Sequence, residues 1–486
     1  MDVRFATLTL LALLDLAGCA SGSRAPDAVG PVHPRSGVPG SAPIALTAPA
    51  ASPSPAAAMA PAPPEGNEPE RLALRFVAAL RAGDVLEISQ RFDETMWSEL
   101  RDQGLSYLWP QILEDGGDFT GVSSVSSDRL DGLELVHVLC GFELGQLDIR
   151  VAVTAWGKIH GLAFAAPEPP PYSPPSYVDP ATFGESELGL GSERLPARLT
   201  LPHADRPVAA VVLVLGSGPQ DHDATLGPNR PFRDLAWGLS SRGIAVLRFD
   251  KRTKALAGKL PAAALDAMTL DQESVEDAEA GVRLLRHTVG VDPTRIVVLG
   301  HSLGGVAAAR VAARDPLVAG FVILAGPARP LEDVLLDQYR YVSTLHGKPS
   351  PKQQRRLGEL EAQIERVKSL GAHSRPAASE LPYGLAPAYW LDLAASPPAK
   401  LLAREQRPVL VLQGDRDYQV THLDFELWQQ ALRADPAARF VPCPGLNHLF
   451  MAGTGPASPS DYQRPGHVAE SVVRAVAEFV RELPRR

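Results

Sequence analysis

A serine held between glycines, in Gly300-His301-Ser302-Leu303-Gly304, is the group in this chain best placed to act as a nucleophile. A hydroxyl is a weak nucleophile at neutral pH and attacks an acyl carbon only when a base within hydrogen-bond reach removes its proton. Candidates for the base and its orienting acid follow apolar runs further along. Leu410-Val411-Leu412-Gln413-Gly414 leads into Asp415-Arg416-Asp417-Tyr418, and the last such run leads into Pro444-Gly445-Leu446-Asn447-His448. Serine, then aspartate, then histidine, each just beyond a strand, is an arrangement for acyl transfer: the serine attacks, the imidazole takes its proton, and the carboxylate holds the imidazole. By position alone Asp415 and Asp417 both fit the place of the acid.

The elements that must hold these groups are readable around them. Ile296-Val297-Val298-Leu299 is a β-branched run before the glycine, and residues 306–314 have strong helix propensity after it. Strand, sharp turn and helix put Ser302 at an apex, where Gly300 and Gly304 keep Cβ atoms out of the way. The competing reading is a serine that only caps a helix. From Arg198 onward strands and helices alternate, which predicts a mostly parallel sheet with ligands gathering beyond the C-terminal ends of its strands. Residues 208–215, 244–249, 320–324, 409–413 and 439–442 read as further strands. Residues 232–241, 270–287, 425–434 and 467–483 read as helices. Residues 331–400 break the alternation with polar, helical sequence.

The whole chain has 486 residues, too many for one compact core, so two folded units with linkers are expected. A net charge of −9 speaks against a nucleic-acid partner, since phosphate binding needs clustered cations. The basic cluster at 352–356 is soon followed by Glu359, Glu361 and Glu365 and reads as a solvated helix face. Three cysteines cannot build a disulfide framework.

Residues 1–18 read as an export signal: Arg4, an apolar stretch, then Leu16-Ala17-Gly18-Cys19. The last four resemble a bacterial lipobox, which implies cleavage before Cys19, lipid on that cysteine, and a membrane-anchored protein of the bacterial cell envelope. Residues 19–66 form a Pro/Ala-rich tract too poor in large apolar side chains to fold, and read as a disordered tether. Residues 67–166 read as a small α+β domain, helices first and then strands at 133–142, 147–154 and 158–164. Phe76-Val77-Ala78-Ala79-Leu80-Arg81-Ala82-Gly83-Asp84, with the later Gly157-Lys158-Ile159-His160-Gly161, is similar to NTF2-like domains. Such a domain binds, positions or spaces, and His137 and His160 read as packed or surface side chains. Residues 167–196 read as a proline-rich linker.

Five stretches in order make residues 197–486 resemble the α/β-hydrolase superfamily, and within it bacterial serine esterases with an NTF2-like domain. They are Gly216-Ser217-Gly218-Pro219-Gln220-Asp221, the run from Gly243 to Arg252, Gly300 to Gly305, Gln413 to Val420, and Gly445 to Phe450. The resemblance implies an α/β-hydrolase fold with a helical cap insertion at 327–400. Its pattern Gly-x-x-Asp-x-x-Val selects Asp417 over Asp415, which is left as a turn residue. It also implies an oxyanion hole made by the backbone N–H groups of Leu303 and Ser217; the family's usual His-Gly is Leu215-Gly216 here. His448 is preferred as base because His422 lies too close in sequence to Asp417 and His467 opens a helix. Tyr383, Tyr389 and Trp390 either line an acyl pocket or pack the cap. Asp221, His222 and Asp223 read as loop structure, so no metal and no cofactor is expected, and Cys443 reads as a buried thiol.

The reading is thus a serine hydrolase with the triad Ser302, Asp417 and His448, cleaving small-molecule esters of short to medium acyl chains. The alternatives are a peptidase or acyl-peptide hydrolase, and a non-catalytic envelope binding protein.

Overall fold

The computed structural model describes residues 67–100, 108–116, 118–142, 145–165, 167, 171–345, 347–371, 373–374 and 376–484. The expected signal, the tether and Cys19 lie outside the described residues. No helix among the described residues is long and apolar enough to cross a membrane.

The chain first forms a four-stranded antiparallel sheet in sequential order, β1 (Phe119–Leu130), β2 (Leu133–Phe142), β3 (Gly145–Val153) and β4 (Ile159–Ala165). Helix Glu68–Ala82 packs on it. That helix starts where Asn67 and Glu70 satisfy each other's backbone N–H groups, and it stops at Gly83, whose φ of 71° a residue with a Cβ seldom adopts. Its apolar face, Ala73, Phe76, Val77 and Leu80, is buried against Val136, Val138, Ile149 and Val151. β1 was not expected from the sequence. Its serine-rich segment lies mostly exposed at the edge of the sheet, so it lacks the apolar alternation that marks a half-buried strand.

The larger sheet has eight strands in the order β12-β11-β10-β9-β7-β8-β6-β5. These are β5 (Phe183–Leu190), β6 (Leu195–Pro202), β7 (Val208–Val214), β8 (Ala245–Phe249), β9 (Val291–His301), β10 (Gly320–Leu324), β11 (Val409–Gly414) and β12 (Ala438–Cys443). Pairings from β12 across to β8 are parallel, as expected, and the β5–β6 hairpin joins antiparallel. The central strands are apolar almost throughout because both faces are covered. Val212, Val298, Ile323 and Val411 point to one side, against helices Glu276–Arg286 and Leu303–Arg314. Val211, Val297, Val322 and Leu410 point to the other, against Pro231–Ser240 and Glu470–Glu482. Successive residues of each strand thus feed opposite cores, each fully buried side chain contributing about 1.5–3 kcal/mol.

The structure corrects one boundary. The stretch 167–196 holds β5, and the Tyr172 and Tyr177 hydroxyls donate to Asp234 and to the Val468 carbonyl, both at 2.7 Å. Far from being a free linker, the segment from Tyr172 onward is packed onto the second domain, and its sheet begins at Phe183. β5 reads as Phe-Gly-Glu-Ser-Glu-Leu-Gly-Leu, a polar edge strand that periodicity does not reveal. The interruption between β10 and β11 is a helical layer of Leu331–Thr344, Pro351–Lys368, Pro387–Ala395 and Pro398–Glu405. Part of it closes over a small core of its own, Leu335, Val367, Leu381 and Trp390.

Candidate active site

β9 ends at His301 and helix Leu303–Arg314 begins two residues on, so Ser302 alone makes the corner. Its backbone sits at φ 53°, ψ −127°, a conformation that costs a residue with a Cβ on the order of 1–3 kcal/mol. The flanking glycines make the corner sterically possible. A Cβ on Gly300 would lie 2.0 Å from the Gly304 carbonyl oxygen, and one on Gly304 2.2 Å from that of Val214. The Ser302 N–H donates to the Leu324 carbonyl at 2.9 Å, tying the corner to β10. Its hydroxyl makes no capping hydrogen bond, so it is not spent on the helix.

Beyond β11 the chain turns tightly, with Gly414 so close to Leu446 that a Cβ would fall 2.3 Å from the Leu446 carbonyl. The turn delivers Asp417, buried, with every lone-pair direction used. Its Oδ1 accepts the N–H groups of Gln419 at 2.8 Å and Val420 at 3.0 Å. Its Oδ2 accepts Gln413 Nε2 at 3.0 Å and His448 Nδ1–H at 2.7 Å. Asp415 is exposed and accepts the Gly445 N–H at 2.6 Å, shaping the turn before His448. The His448 loop is set by Asn447, whose Oδ1 accepts the N–H groups of Leu449 and Met451. A carboxylate on Nδ1 puts that nitrogen's proton toward Asp417 and leaves Nε2 as the acceptor.

Ser302 and His448 line one cavity of about 380 Å³. Gly216, Ser217 and Leu303 also line it, as do the apolar Leu331, Val334 and Leu335 from the cap. Leu303 is the first residue of its helix, so its N–H has no acceptor within the helix and adds to the positive end of the dipole. Gly216 comes so near Ser302 that a Cβ there would lie 3.0 Å from the serine Cβ. The site therefore offers a hydroxyl, an oriented imidazole and backbone donors around one small apolar chamber.

The other candidates are placed elsewhere. His422 lies near Glu426 on an exposed helix face, at 3.7 Å, and His467 Nδ1 is 3.2 Å from Asp234. His222 contacts Asp250, Asp223 takes Arg248 and Arg233, and Asp221 accepts the N–H groups of Asp223 and Thr225, so all three are spent on loop structure. His137 and His160 pair with Asp148 and Asp93 in the first domain. Burial pushes the Cys443 thiol up to about 11, which keeps it protonated. Tyr383, Tyr389 and Trp390 belong to the packing of the cap: Tyr389 donates to Glu273, Trp390 is buried in the cap core, and Tyr383 packs against that core.

Two residues of the site escaped sequence reasoning. Gln413, the last residue but one of β11, fixes Asp417, and nothing in its type marks it. His301 occupies a variable place of the serine motif. It is buried, and its Nε2–H donates to the His448 carbonyl at 2.9 Å, linking the serine corner to the histidine loop. Burial and the neighbouring His448 ring lower its pKa from 6.5 to about 3. The unfolded chain therefore binds a proton that the native state refuses, and stability falls as pH drops from 6.5 toward 3, by up to about 1.4 kcal/mol per pH unit. In His301→Gln, whose amide can keep the donation, urea unfolding at pH 7 and pH 5 is expected to show a shallower loss than wild type. Equal losses would mean the imidazole does not stay neutral.

The family match agrees with this architecture. Residues 211–457 match a family described as "Alpha/beta hydrolase family", and residues 73–162 match a family described as a protein of unknown function, DUF3887. The chain is 34% identical over 383 residues to Esterase EstD of Thermotoga maritima, covering 79% of this chain and 88% of that one. Among solved structures, the esterase domain of a Rhodothermus marinus protein aligns at 20% identity and TM-score 0.38, covering 62% of this chain and 98% of that one. Est1E from Butyrivibrio proteoclasticus aligns at 19% identity and TM-score 0.40, with coverages of 62% and 98%.

Proposed function

Because the chain belongs to the α/β-hydrolase family and is a carboxylesterase-type hydrolase, we propose that it cleaves short-chain esters through Ser302, His448 and Asp417 by way of an acyl-enzyme. The observation that carries the reading is His448, held by buried Asp417 at 2.7 Å and lining one cavity with a serine whose backbone is held at positive φ.

In this reading His448 Nε2 takes the Ser302 proton as the oxygen attacks the acyl carbon, and Asp417 stabilises the imidazolium. The carbonyl oxygen gains negative charge and is met by the N–H groups of Leu303 and Ser217; one such donor is typically worth about 3 kcal/mol in the transition state. His448 then protonates the departing alcohol, and water repeats the sequence to release the acid. A fluorophosphonate is expected to label the purified protein on the peptide bearing Ser302. Active protein that resists labelling would overturn the mechanism.

The same cavity argues for acyl length. At about 380 Å³ it lies near the small end of ligand pockets, and Leu331, Val334 and Leu335 line it. Across p-nitrophenyl esters, kcat/KM is expected to peak at acetate to butyrate and fall toward decanoate, with peptide substrates cleaved more slowly than any of them. A maximum at the long chains would refute the assignment.

A further inference from the structure

Behind the Gly216–Ser217 turn lies a chain of buried polar groups that the reaction does not consume. Lys251, just past β8 and 2% exposed, donates from Nζ to the Gly216 carbonyl at 2.7 Å. The same ammonium lies 3.2 Å from Glu273 Oε2, in the π-helical turn Asp271–Val275. Glu273 in turn accepts the Tyr389 hydroxyl at 2.7 Å and that of Thr253 at 3.3 Å. Tyr389 comes from cap helix Pro387–Ala395, and burial together with Glu273 keeps its phenol protonated as a donor. Lys251 does not border the cavity, whereas Gly216 and Ser217 do.

The geometry of one peptide unit gives this chain of contacts a consequence. The Gly216 carbonyl and the Ser217 N–H belong to the same planar group, and no cis peptide bond occurs among the described residues. In a trans peptide the C=O and N–H point in opposite directions. An ammonium that pulls the carbonyl back into the protein therefore turns the N–H of Ser217 outward, toward the cavity. We propose that Lys251 is a positioning residue for this reaction: it fixes the Gly216–Ser217 peptide so that the Ser217 N–H faces the developing oxyanion. Glu273 and Tyr389 hold the ammonium in place, so the cap is mechanically joined to the oxyanion loop. A flexible glycine turn with no such anchor would have to reorganise at the moment charge develops, and preorganised donors are effective because they avoid that cost. The proposal rests on the reading of Ser217 and Leu303 as the oxyanion donors.

Lys251→Met alone would leave the Glu273 carboxylate buried without its cation, so the informative protein is the full chain carrying Lys251→Met together with Glu273→Gln. The glutamine oxygen can accept the Tyr389 hydroxyl while its NH₂ donates to the Thr253 hydroxyl oxygen, so both contacts can be kept and no buried charge is left unpaired. Against p-nitrophenyl butyrate this variant is expected to keep Tm and KM near wild type while kcat falls about 10- to 100-fold, less than outright removal of a donor. The inhibition constant of a trifluoromethyl ketone, whose hemiketal oxygen occupies the oxyanion position, is expected to weaken by the same factor. A kcat and inhibitor affinity equal to wild type in the folded double variant would overturn the proposal. Ser302→Ala separates the two levels of inference. If Ser302→Ala keeps its activity, the underlying reading fails; if it is inactive while the double variant is fully active, the role of Lys251 alone fails.

Discussion

Replacing Ser302 with alanine is expected to lower kcat for ester cleavage by about 10⁴- to 10⁶-fold, with KM and folding close to wild type, because members of such a catalytic unit fail together once the nucleophile is lost. The residual rate comes from the backbone donors and from binding, which alanine leaves intact. Ser302→Gly makes the same prediction sharper. Both variants lose the hydroxyl, yet glycine relieves the strain of φ 53° and ψ −127° that serine and alanine share. Ser302→Gly is therefore expected to be as inactive as Ser302→Ala and more stable than wild type by about 1–2 kcal/mol. Steady-state kinetics with a short p-nitrophenyl ester, alongside urea unfolding, measures both. An inactive glycine variant with no gain in stability would mean that the corner is not strained; activity retained in either variant would remove Ser302 from the reaction.

The same corner shows what a sequence discloses and what it hides. β10 and the Ile296–Leu299 run of β9 are legible because strand segments buried on both faces are apolar, and because two glycines around a serine have a steric reason to be there. β1 and β5 are edge strands, solvated along most of their length, so nothing in their side chains distinguishes them from loop. Asp417 and His448 stand out because the proposed reaction calls for an acid and a base beyond particular strands. Their supports cannot be placed this way. Gln413 reaches Asp417 and His301 reaches the His448 carbonyl through hydrogen bonds, as Lys251 reaches the Gly216 carbonyl, and many residue types in many places can make such bonds. Side chains near a site are readable when the chemistry dictates their type, and become visible only in three dimensions when geometry alone dictates it. Tyr389 illustrates the second case: its ring could as well have faced a substrate, and its contact with Glu273 settles that it does not.

Asp417→Asn is expected to cost nearly as much as losing the serine, about 10³- to 10⁴-fold in kcat, although it changes one oxygen for one nitrogen. The hydrogen bonds around the carboxylate dictate the outcome. The N–H groups of Gln419 and Val420 both point at Oδ1, so an asparagine must place its oxygen there. Its NH₂ then takes the position of Oδ2 and faces His448 Nδ1 at what is now 2.7 Å. An NH₂ donates, so Nδ1 must accept and the imidazole proton moves to Nε2, the nitrogen that has to take the proton of Ser302. The variant would hold histidine in a good position in the wrong tautomer. Asp415→Asn is the matched control: its Oδ1 serves only the turn at Gly445, and its oxygen can still accept that N–H, so kcat is expected to stay within about twofold of wild type, as for exposed changes away from such features. Kinetics on the two variants in parallel, with fluorophosphonate labelling rates as a second readout, distinguishes the acids. Loss of activity in Asp415→Asn with none in Asp417→Asn would reverse the assignment, and with it the account of how this chain makes its serine reactive.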